Sequence, residues 1–161
     1  LVWLGDGLDE HGKPAGADNM KNEERMSPQD IVKNSQEIKE SGMDWRHAYI
    51  ALHHSIEQNQ GRVIRCGNTL FWIMLKEPHQ AQMYIFNADK YKNLLKNFKE
   101  FAQAMHKAGF KKVWGETHDV NMIEVIKRIG FPVDVETVGE DSSGRTIYRG
   151  TVNVWSRWSN W

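Results

Sequence analysis

Three histidines and one cysteine are the side chains of this sequence that could most directly bind a metal or attack a substrate. His47, His53 and His54 fall on one predicted helix. Two of them point away from its apolar stripe, the third flanks the stripe, and no further ligand converges with them. Cys66 is the single cysteine, so it cannot form an internal disulfide, and we interpret it as a small core residue. The sequence therefore predicts neither a metal site nor a catalytic thiol.

The helix that carries the histidines belongs to a predicted α/β (α+β) domain. Asp44 caps this helix, and its apolar residues recur at helical spacing. An earlier helix begins after Ser27, runs to Ser41 and stops at Gly42. Because the earlier helix has few apolar residues, we expect it on the surface of the domain.

Strands are predicted on both sides of a long helix. Residues 62–66 and 69–76 read as two strands joined by a tight turn, and residues 82–86 read as a third. The second of these strands is apolar on both faces, so we expect it in the centre of the sheet with helices on each side. Near the end of the chain, two alternating segments around a turn at residues 140–145 predict an antiparallel hairpin.

The long helix follows the third predicted strand. Its apolar residues form a stripe with helical spacing, and Gly109 supplies a left-handed C-terminal cap. The stripe consists of Tyr91, Leu94, Leu95, Phe98, Phe101, Ala102 and Met105. A buried strand and a shorter helix over residues 121–129 come next. Together these elements predict a mixed, mostly antiparallel central sheet flanked by helices in residues 27–154.

The composition is that of a soluble globular domain with extensions at both ends. Of the 161 residues, 40% are hydrophobic and 26% are charged, and 21 basic residues balance 21 acidic ones. A net charge of zero gives no overall attraction to nucleic acid or to an anionic membrane. No apolar run approaches the roughly 20 residues of a membrane span, and the first residues lack the features of a signal peptide.

The order of the elements resembles the second half of the GCN5-related N-acetyltransferase fold. The segments MHKAGFKKVWGETHD and VIKRIGF carry this resemblance, within residues 37–138. In that family, the helix after the fourth strand and the loop before it hold the pyrophosphate of acetyl-coenzyme A. The chain is also similar to the acetyltransferase-like internal virion proteins of short-tailed bacteriophages, through EIKESGMDW, GRVIRCGNTLFW and HDVNMIEVIKRIGF.

The resemblance implies three requirements for acetyl transfer, of which the first is a glycine-rich turn that binds the pyrophosphate. Aligned on Lys92, the glycine positions of the family become Asn93, Leu95 and Asn97. Leucine would put a side chain where the phosphates should approach, and residues 68–108 contain no glycine in any register. If the chain does bind the coenzyme, the residues implied are Phe86, Ala88, Lys92, Asn93 and Asn97.

The second and third requirements are a general acid and a general base. The family's acid is a tyrosine five residues before the Phe of the Gly-Phe ending, and the residue here is Ile126, which cannot donate a proton. Candidates for the base stand at the ends of predicted strands, where each also fits an ordinary turn or edge position. They are Glu77, His79, Glu116 and His118. We therefore assign no catalytic residue from the sequence.

A basic surface is predicted along the long helix. Seven lysines and one acid, Glu100, lie between Lys90 and Lys112. We disfavour nucleic acid as its ligand, because the segment lacks arginine and its aromatic residues lie on the buried stripe. The first 43 residues carry nine acids and five bases, so an acidic arm over residues 1–26 is expected to lie against this helix, in the same or another copy.

A tryptophan-rich tail is predicted over residues 155–161. Three tryptophans at a chain end are hard to leave in water, so they either pack on their own domain or dock on a partner or neighbouring subunit. The predicted partner-binding residues combine this tail with the basic helix face. They are Trp155, Trp158, Trp161, Lys92, Lys96 and Lys99.

Taken together, the residues favour a non-catalytic protein of acetyltransferase-like fold that acts through protein contacts and has no cofactor. The phage resemblance implies a role in virion structure or assembly, with another virion or assembly protein as partner, in the host cytoplasm or the particle. Two alternatives stay open. One is a divergent N-acetyltransferase that uses acetyl-coenzyme A, and the other is a small inhibitor of a host enzyme.

Overall fold

The computed structural model describes residues 25–155 and the backbone of residues 2–3. The helices are α1 (Pro28–Asn34), α2 (Gln36–Ser41), α3 (Trp45–Glu57), α4 (Tyr91–Lys107) and α5 (Val120–Ile126). The strands are β1 (Val2–Trp3), β2 (Gly61–Cys66), β3 (Thr69–Glu77), β4 (Gln80–Asn87), β5 (Lys112–Thr117), β6 (Val133–Glu140) and β7 (Thr146–Asn153). Within these described residues, no helix combines the length and the apolar character that crossing a membrane would need.

One sheet of seven strands forms the centre of the fold, in the order β1-β2-β3-β4-β5-β7-β6. Its neighbouring strands are antiparallel except for β4 and β5, which are parallel. The predicted mixed, mostly antiparallel sheet flanked by helices is therefore confirmed. Two residues of the segment predicted as an arm form β1 at the edge of this sheet, where they pair with Ile64 and Arg65.

Helices cover both faces of the sheet. Helices α4 and α5 pack on one face, where the ring of Phe71 in β3 stacks on that of Phe101 in α4 with centroids 4.2 Å apart. Helices α1 to α3 pack on the other face, around Leu70 and Phe86. Strand β3 is thus covered by helices on both faces, as its apolar residues on both faces predicted.

The apolar stripe of α4 is buried along most of its length. The stripe residues that are at most 1% exposed are Leu94, Phe98, Phe101, Ala102 and Met105. Tyr91, at the start of the stripe, is instead 47% exposed. Gly109 has a φ of 90°, which is the left-handed conformation predicted for the end of this helix.

The segment from residue 27 to residue 41 is two helices rather than the single helix predicted. The Oγ of Ser35 donates to the carbonyl of Val32 and accepts from the N–H of Ile38, so one side chain ends α1 and begins α2. The segment lies at the surface as predicted, with most of its charged side chains exposed, but Ile31 and Val32 on its inner side are fully buried against the sheet. The apolar residues of this segment are few, but they lie together on the side that covers the strands.

Strands β4 and β5 part halfway along their length. Their last paired residues are Gln82 and Trp114. Gly115 follows at this point, and a Cβ on it would lie only 2.8 Å from the carbonyl oxygen of Met83. A glycine is therefore needed where the two backbones make their last close approach before the gap.

Candidate functional site

A cavity of about 520 Å³ occupies the gap between β4 and β5. Residues 83–86 of β4 and residues 115–117 of β5 line it, and its walls come from α2, α3 and α5. We call it the first cavity. Concave, mostly apolar sites with a few polar groups are the usual binding places for small molecules.

The backbone of β4 presents polar groups to this gap. The N–H of Ala88 donates to the carbonyl of Asn68 on the β3 side of the strand. Backbone groups of successive residues point to opposite edges of a strand, so the N–H of Asn87 and the backbone of Ile85 face the side where β5 has moved away. An extended ligand can hydrogen-bond to such an edge as an added strand does.

Glu37 lies at the end of the first cavity. It is in the first turn of α2, and its Oε1 accepts a hydrogen bond of 2.7 Å from the N–H of Asn87. The cap that Ser35 makes at the start of α2 fixes the turn that carries this carboxylate. Glu37 thus reaches across from α2 to the edge of β4.

The carboxyl of Glu37 titrates near neutrality. Burial disfavours its charged form and raises its pKa from 4.5 to about 7, although the N–H of Asn87 acts in the opposite direction. The negative charges of Glu40 and Asp119 raise the pKa further. A carboxyl with this pKa can accept and release a proton at physiological pH.

A second cavity, of about 440 Å³, lies next to the first. It is lined by α2, by residues 88–90 and by the first turns of α4 and α5. Glu37 and Met122 line both cavities. The two spaces therefore meet at the titratable carboxyl.

The start of α4 opens into the second cavity without a side-chain cap. Lys90 occupies the N-cap position and makes no capping hydrogen bond with its side chain. Asp89, which could have capped the helix, turns inward and accepts hydrogen bonds from Asn68 N at 2.9 Å and Asn97 Nδ2 at 2.8 Å. The first-turn amides of a long helix attract anions when no side chain occupies them.

The start of α5 contributes an acidic group to the same cavity. Asp119 caps α5, and its Oδ2 also accepts a hydrogen bond of 3.0 Å from the Oη of Tyr91. Desolvation, together with this carboxylate, raises the pKa of Tyr91 to about 12, so the phenol stays protonated. Anions that enter the second cavity therefore meet both helix amides and nearby carboxylates.

The structure brings only some of the predicted coenzyme residues to these cavities. Phe86 lines the first cavity and Ala88 the second. Lys92 and Asn93 lie exposed on α4, and Asn97 is buried, with its amide donating to Thr69 Oγ1 and to the carboxylate of Asp89. Asn97 is thus part of the interior of the domain.

The sequence alignment that placed Leu95 at the phosphate-binding turn needs correction. Helix α4 begins at Tyr91, so Leu95 lies within the helix and packs against the core. The turn between β4 and α4 is instead residues 88–90, which contain no glycine. The side-chain amide of Asn87 donates to the carbonyl of Asp89 and accepts from the N–H of Asp89, and these two hydrogen bonds hold the turn in shape. The steric objection based on Leu95 therefore does not apply.

The predicted base candidates lie in different places. Glu77 and His79 are at the turn between β3 and β4, where β4 begins. Neither lines the first cavity, which is lined by residues 83–86 further along β4. Glu116 lines the first cavity, but its Oε2 is held by Arg149 at 2.7 Å. His118 Nε2 lies 3.5 Å from a carboxylate oxygen of Glu40. Ile126, at the position implied for the acid, lines the first cavity with an aliphatic side chain.

Sequence reasoning missed Glu37. A glutamate in the first turn of a helix is ordinary, because it complements the helix dipole. Its pKa depends on burial by α2 and by the end of β4, which lies 50 residues away in the sequence. No local pattern marks such a residue.

The histidines and Cys66 do not form a metal site. Among residues 25–155, no group of three or more His, Cys, Asp or Glu side chains converges as metal ligands would. His47 lines the first cavity, and the His53 ring packs edge-on against Tyr49 with centroids 4.5 Å apart. Cys66 is 1% exposed, in agreement with its predicted core position, and burial raises the pKa of its thiol.

The predicted partner-binding residues are described in part. Lys92, Lys96 and Lys99 are exposed on α4. Trp155 is 58% exposed, with Nζ of Lys111 5.6 Å from its ring centroid. Trp158, Trp161 and most of the predicted acidic arm lie outside the described residues. The expectation of a protein partner stays a prediction.

Solved structures of acetyltransferases match the arrangement described above. A variant of the spermidine N-acetyltransferase SpeG from Vibrio cholerae matches with a TM-score of 0.53 and 10% identity, over 69% of this chain and 76% of that one. An aminoglycoside 6'-acetyltransferase type Ii matches with a TM-score of 0.50 and 8% identity, over 81% of this chain and 92% of that one. The chain has an N-acetyltransferase fold. At these identities the likeness establishes the fold alone.

No family model and no curated protein sequence matches the chain. The acetyltransferase-like fold expected from the sequence resemblance is thus confirmed by the structures. The similarity to phage virion proteins, and the virion role that it implies, remain predictions.

Proposed function

We propose that the chain is an N-acyltransferase, which moves an acyl group from a coenzyme A thioester to an amine. The observation that carries the proposal is the meeting of two cavities at Glu37, where the parallel strands β4 and β5 part. One cavity is mostly apolar and the other is polar and includes a helix start. A nucleotide thioester and an amine would therefore have separate entries to one ionisable group.

A coenzyme A thioester fits the second cavity and the edge of β4 in part. The first-turn amides of α4, with Lys39 and Lys90 nearby, would hold phosphate oxygens. The backbone of Ile85 would hold the amides of the pantetheine chain. Carboxylates that line the same cavity oppose the phosphates, so we expect binding in the micromolar range rather than tighter. When bound, the thioester supplies an activated acyl carbonyl.

Glu37 already occupies one hydrogen-bonding position on this edge of β4. Its Oε1 accepts the hydrogen bond from the N–H of Asn87, which faces the gap. A donor that uses the backbone of Ile85 leaves this bond intact. A donor that needs the N–H of Asn87 must first displace the carboxylate.

Glu37 has the acidity needed to deprotonate an attacking amine. A general base is most effective when its pKa lies near the working pH, and burial sets the pKa of Glu37 at about 7. The bond to Asn87 fixes the carboxylate through Oε1 and does not involve Oε2. The ammonium form of the amine would lose one proton to this carboxylate, and the neutral nitrogen would then bond to the acyl carbon. The carbon–sulfur bond would break, and a second proton from the nitrogen would leave with the thiolate as the free thiol.

The departing thiol needs no strong acid. Its ordinary pKa of about 8.5 makes the thiolate a good leaving group near neutral pH. Ile126 lines the cavity at the position where the family resemblance implies a tyrosine. Tyr84 lines the same cavity and is 42% exposed, so a phenol stands within the site.

Two measurements test this function. Calorimetric titration with acetyl-coenzyme A should give micromolar binding, and thiol release should accelerate when a primary amine is added. In Glu37→Gln, we expect turnover to fall about 100-fold or more, with coenzyme binding retained, because the base is lost while the amide still accepts from Asn87. The matched control is Glu124→Gln, an exposed residue of α5 whose carboxylate contacts Lys127.

The titration distinguishes an active acyltransferase from a non-catalytic protein with the same fold. Absence of heat with both acetyl-coenzyme A and coenzyme A would refute the acyltransferase and favour a non-catalytic protein. Equal turnover in Glu37→Gln and Glu124→Gln would leave the activity standing and remove Glu37 as the base. The wild-type rate should rise with pH and level off above about pH 7, as Glu37 ionises.

A further inference from the structure

The walls of the first cavity are mostly hydrocarbon. Apolar side chains line it from α2, α3 and the turn between them, from β3 and β4, and from α5. These are Ile38, Met43, Ala48, Ala51, Trp72, Met83, Phe86, Met122 and Ile126. A ligand body that fills this space gains from leaving water, so the cavity selects an apolar group.

Trp72 gives one wall a flat aromatic surface. Its Nε1 donates to the Oγ of Ser55 at 2.9 Å, so its polar atom is satisfied inside the protein. Its ring lies 5.0 Å from that of Tyr84 and 6.4 Å from that of Phe86, measured between centroids. A planar ligand can pack against such a group of rings.

The mouth of the cavity carries an exposed methionine. Met43 is 53% exposed and lies in the turn between α2 and α3, next to Gly42 with its φ of 69°. Methionine is flexible and adapts to ligands of different shape. This part of the mouth is therefore apolar, as the walls are.

The part of the chain that the structure describes leaves a single carboxylate available inside this cavity. Within residues 25–155, Glu37 and Glu116 are the two carboxylates that line it. Glu116 is already paired with Arg149, at 3.1 Å from Nε and 2.7 Å from Nη2. Glu37 alone has no cationic partner among its described contacts, so the site can compensate one ammonium group and not two.

We infer that the acceptor is a monoamine whose single ammonium group sits on an apolar, ring-sized body, and this inference rests on the proposed acyltransferase function. The ammonium reaches Glu37, and the body packs between Trp72 and the α2–α3 wall. A polyamine is disfavoured, because a second ammonium in the first cavity would be buried among hydrocarbon without a counter-charge, and the second cavity, where Glu40 and Asp119 lie, is taken by the acyl donor. The substrate class therefore differs from the spermidine named for one of the structural matches.

Direct binding in saturating coenzyme A, which fills the second cavity, tests this inference without acyl transfer. Calorimetric titrations would compare 2-phenylethylamine with spermidine and with the neutral analogue 2-phenylethanol. We expect 2-phenylethylamine to bind at least about tenfold more tightly than spermidine. In Glu37→Gln, the advantage of 2-phenylethylamine over 2-phenylethanol should disappear, because the anion that recognises the ammonium is gone.

A variant with a second carboxylate checks the charge argument. Ala51 lines the cavity, so Ala51→Glu should improve spermidine binding relative to 2-phenylethylamine by about tenfold. The matched control is Ile50→Glu, since Ile50 is the neighbouring residue of α3, is 65% exposed and does not line the cavity. An equal gain in both variants would overturn the argument, because a general surface charge would then explain it.

The results separate this inference from the proposed function. If spermidine binds the wild type as tightly as 2-phenylethylamine, the inference is overturned whether or not acetyl-coenzyme A is consumed. If 2-phenylethylamine binds with the expected preference and no amine causes thiol release, the proposed function fails and the ligand class stands. Turnover of 2-phenylethylamine with the expected preference supports both.

Discussion

Replacing Glu37 with glutamine should raise the free energy of unfolding above about pH 7 and leave it nearly unchanged below pH 4.5. The pKa of this carboxyl is about 7 in the folded protein and 4.5 without the environment of the fold. Between these values the folded chain holds a proton that the unfolded chain has released, so stability falls as the pH rises. Above about pH 7 the full cost of the buried charge is present.

The size of the effect follows from the pKa. A rise from 4.5 to about 7 corresponds to a cost of about 3 kcal/mol for the ionised form. Solvent that reaches the partly exposed carboxylate reduces this cost, so we expect a gain of about 1–3 kcal/mol in Glu37→Gln at alkaline pH. The amide oxygen of glutamine can still accept from Asn87, so the hydrogen bond is retained.

Urea denaturation measured at several pH values is the appropriate assay. The difference in unfolding free energy between the wild type and Glu37→Gln should grow as the pH rises from about 4.5 to about 7 and then stay constant. Glu124→Gln provides the baseline, because that carboxylate is 54% exposed. A difference that does not change with pH would refute the argument that burial raises the pKa of Glu37.

Three further predictions concern stability and are measured by the same denaturation. Gly115→Ala should lower the free energy of unfolding by about 1–3 kcal/mol, because its Cβ would lie 2.8 Å from a backbone oxygen of β4. Gly150→Ala is the control and should be tolerated, because the atom nearest to its Cβ would be 3.5 Å away. Equal effects of the two substitutions would contradict this prediction. Phe98→Ala should cost about 3–5 kcal/mol, because the ring is fully buried, and a loss under about 1 kcal/mol would be inconsistent with that packing. Asn97→Leu should cost about 1–3 kcal/mol by removing the donor to Asp89, and a neutral result would mean that this bond adds nothing.

Local sequence patterns predicted helices and helix ends correctly where the pattern is compatible with one local structure only. The stripe of α4 and the left-handed Gly109 were identified because helix spacing and backbone conformation are properties of a short segment. The break at Ser35 was missed. A serine inside a helical pattern is compatible with continuation, and only its two hydrogen bonds divide the segment.

The coenzyme region shows the limit of alignment by motif. Without a glycine between Gly67 and Gly109, the sequence offered no marker for the turn before α4. The turn was therefore placed several residues late, at Asn93 rather than at residues 88–90. The structure fixes the position, because α4 begins where β4 ends and Asp89 bonds inward.

The sequence by itself determined the class of the fold, since hydrophobic periodicity and turn residues dictate which segments become helices and strands. It also determined that Cys66 belongs to the core. Only the tertiary structure decided where the chemistry can occur. The gap between β4 and β5 and the pKa of Glu37 arise from segments far apart in the chain, because burial and desolvation depend on what packs together in space.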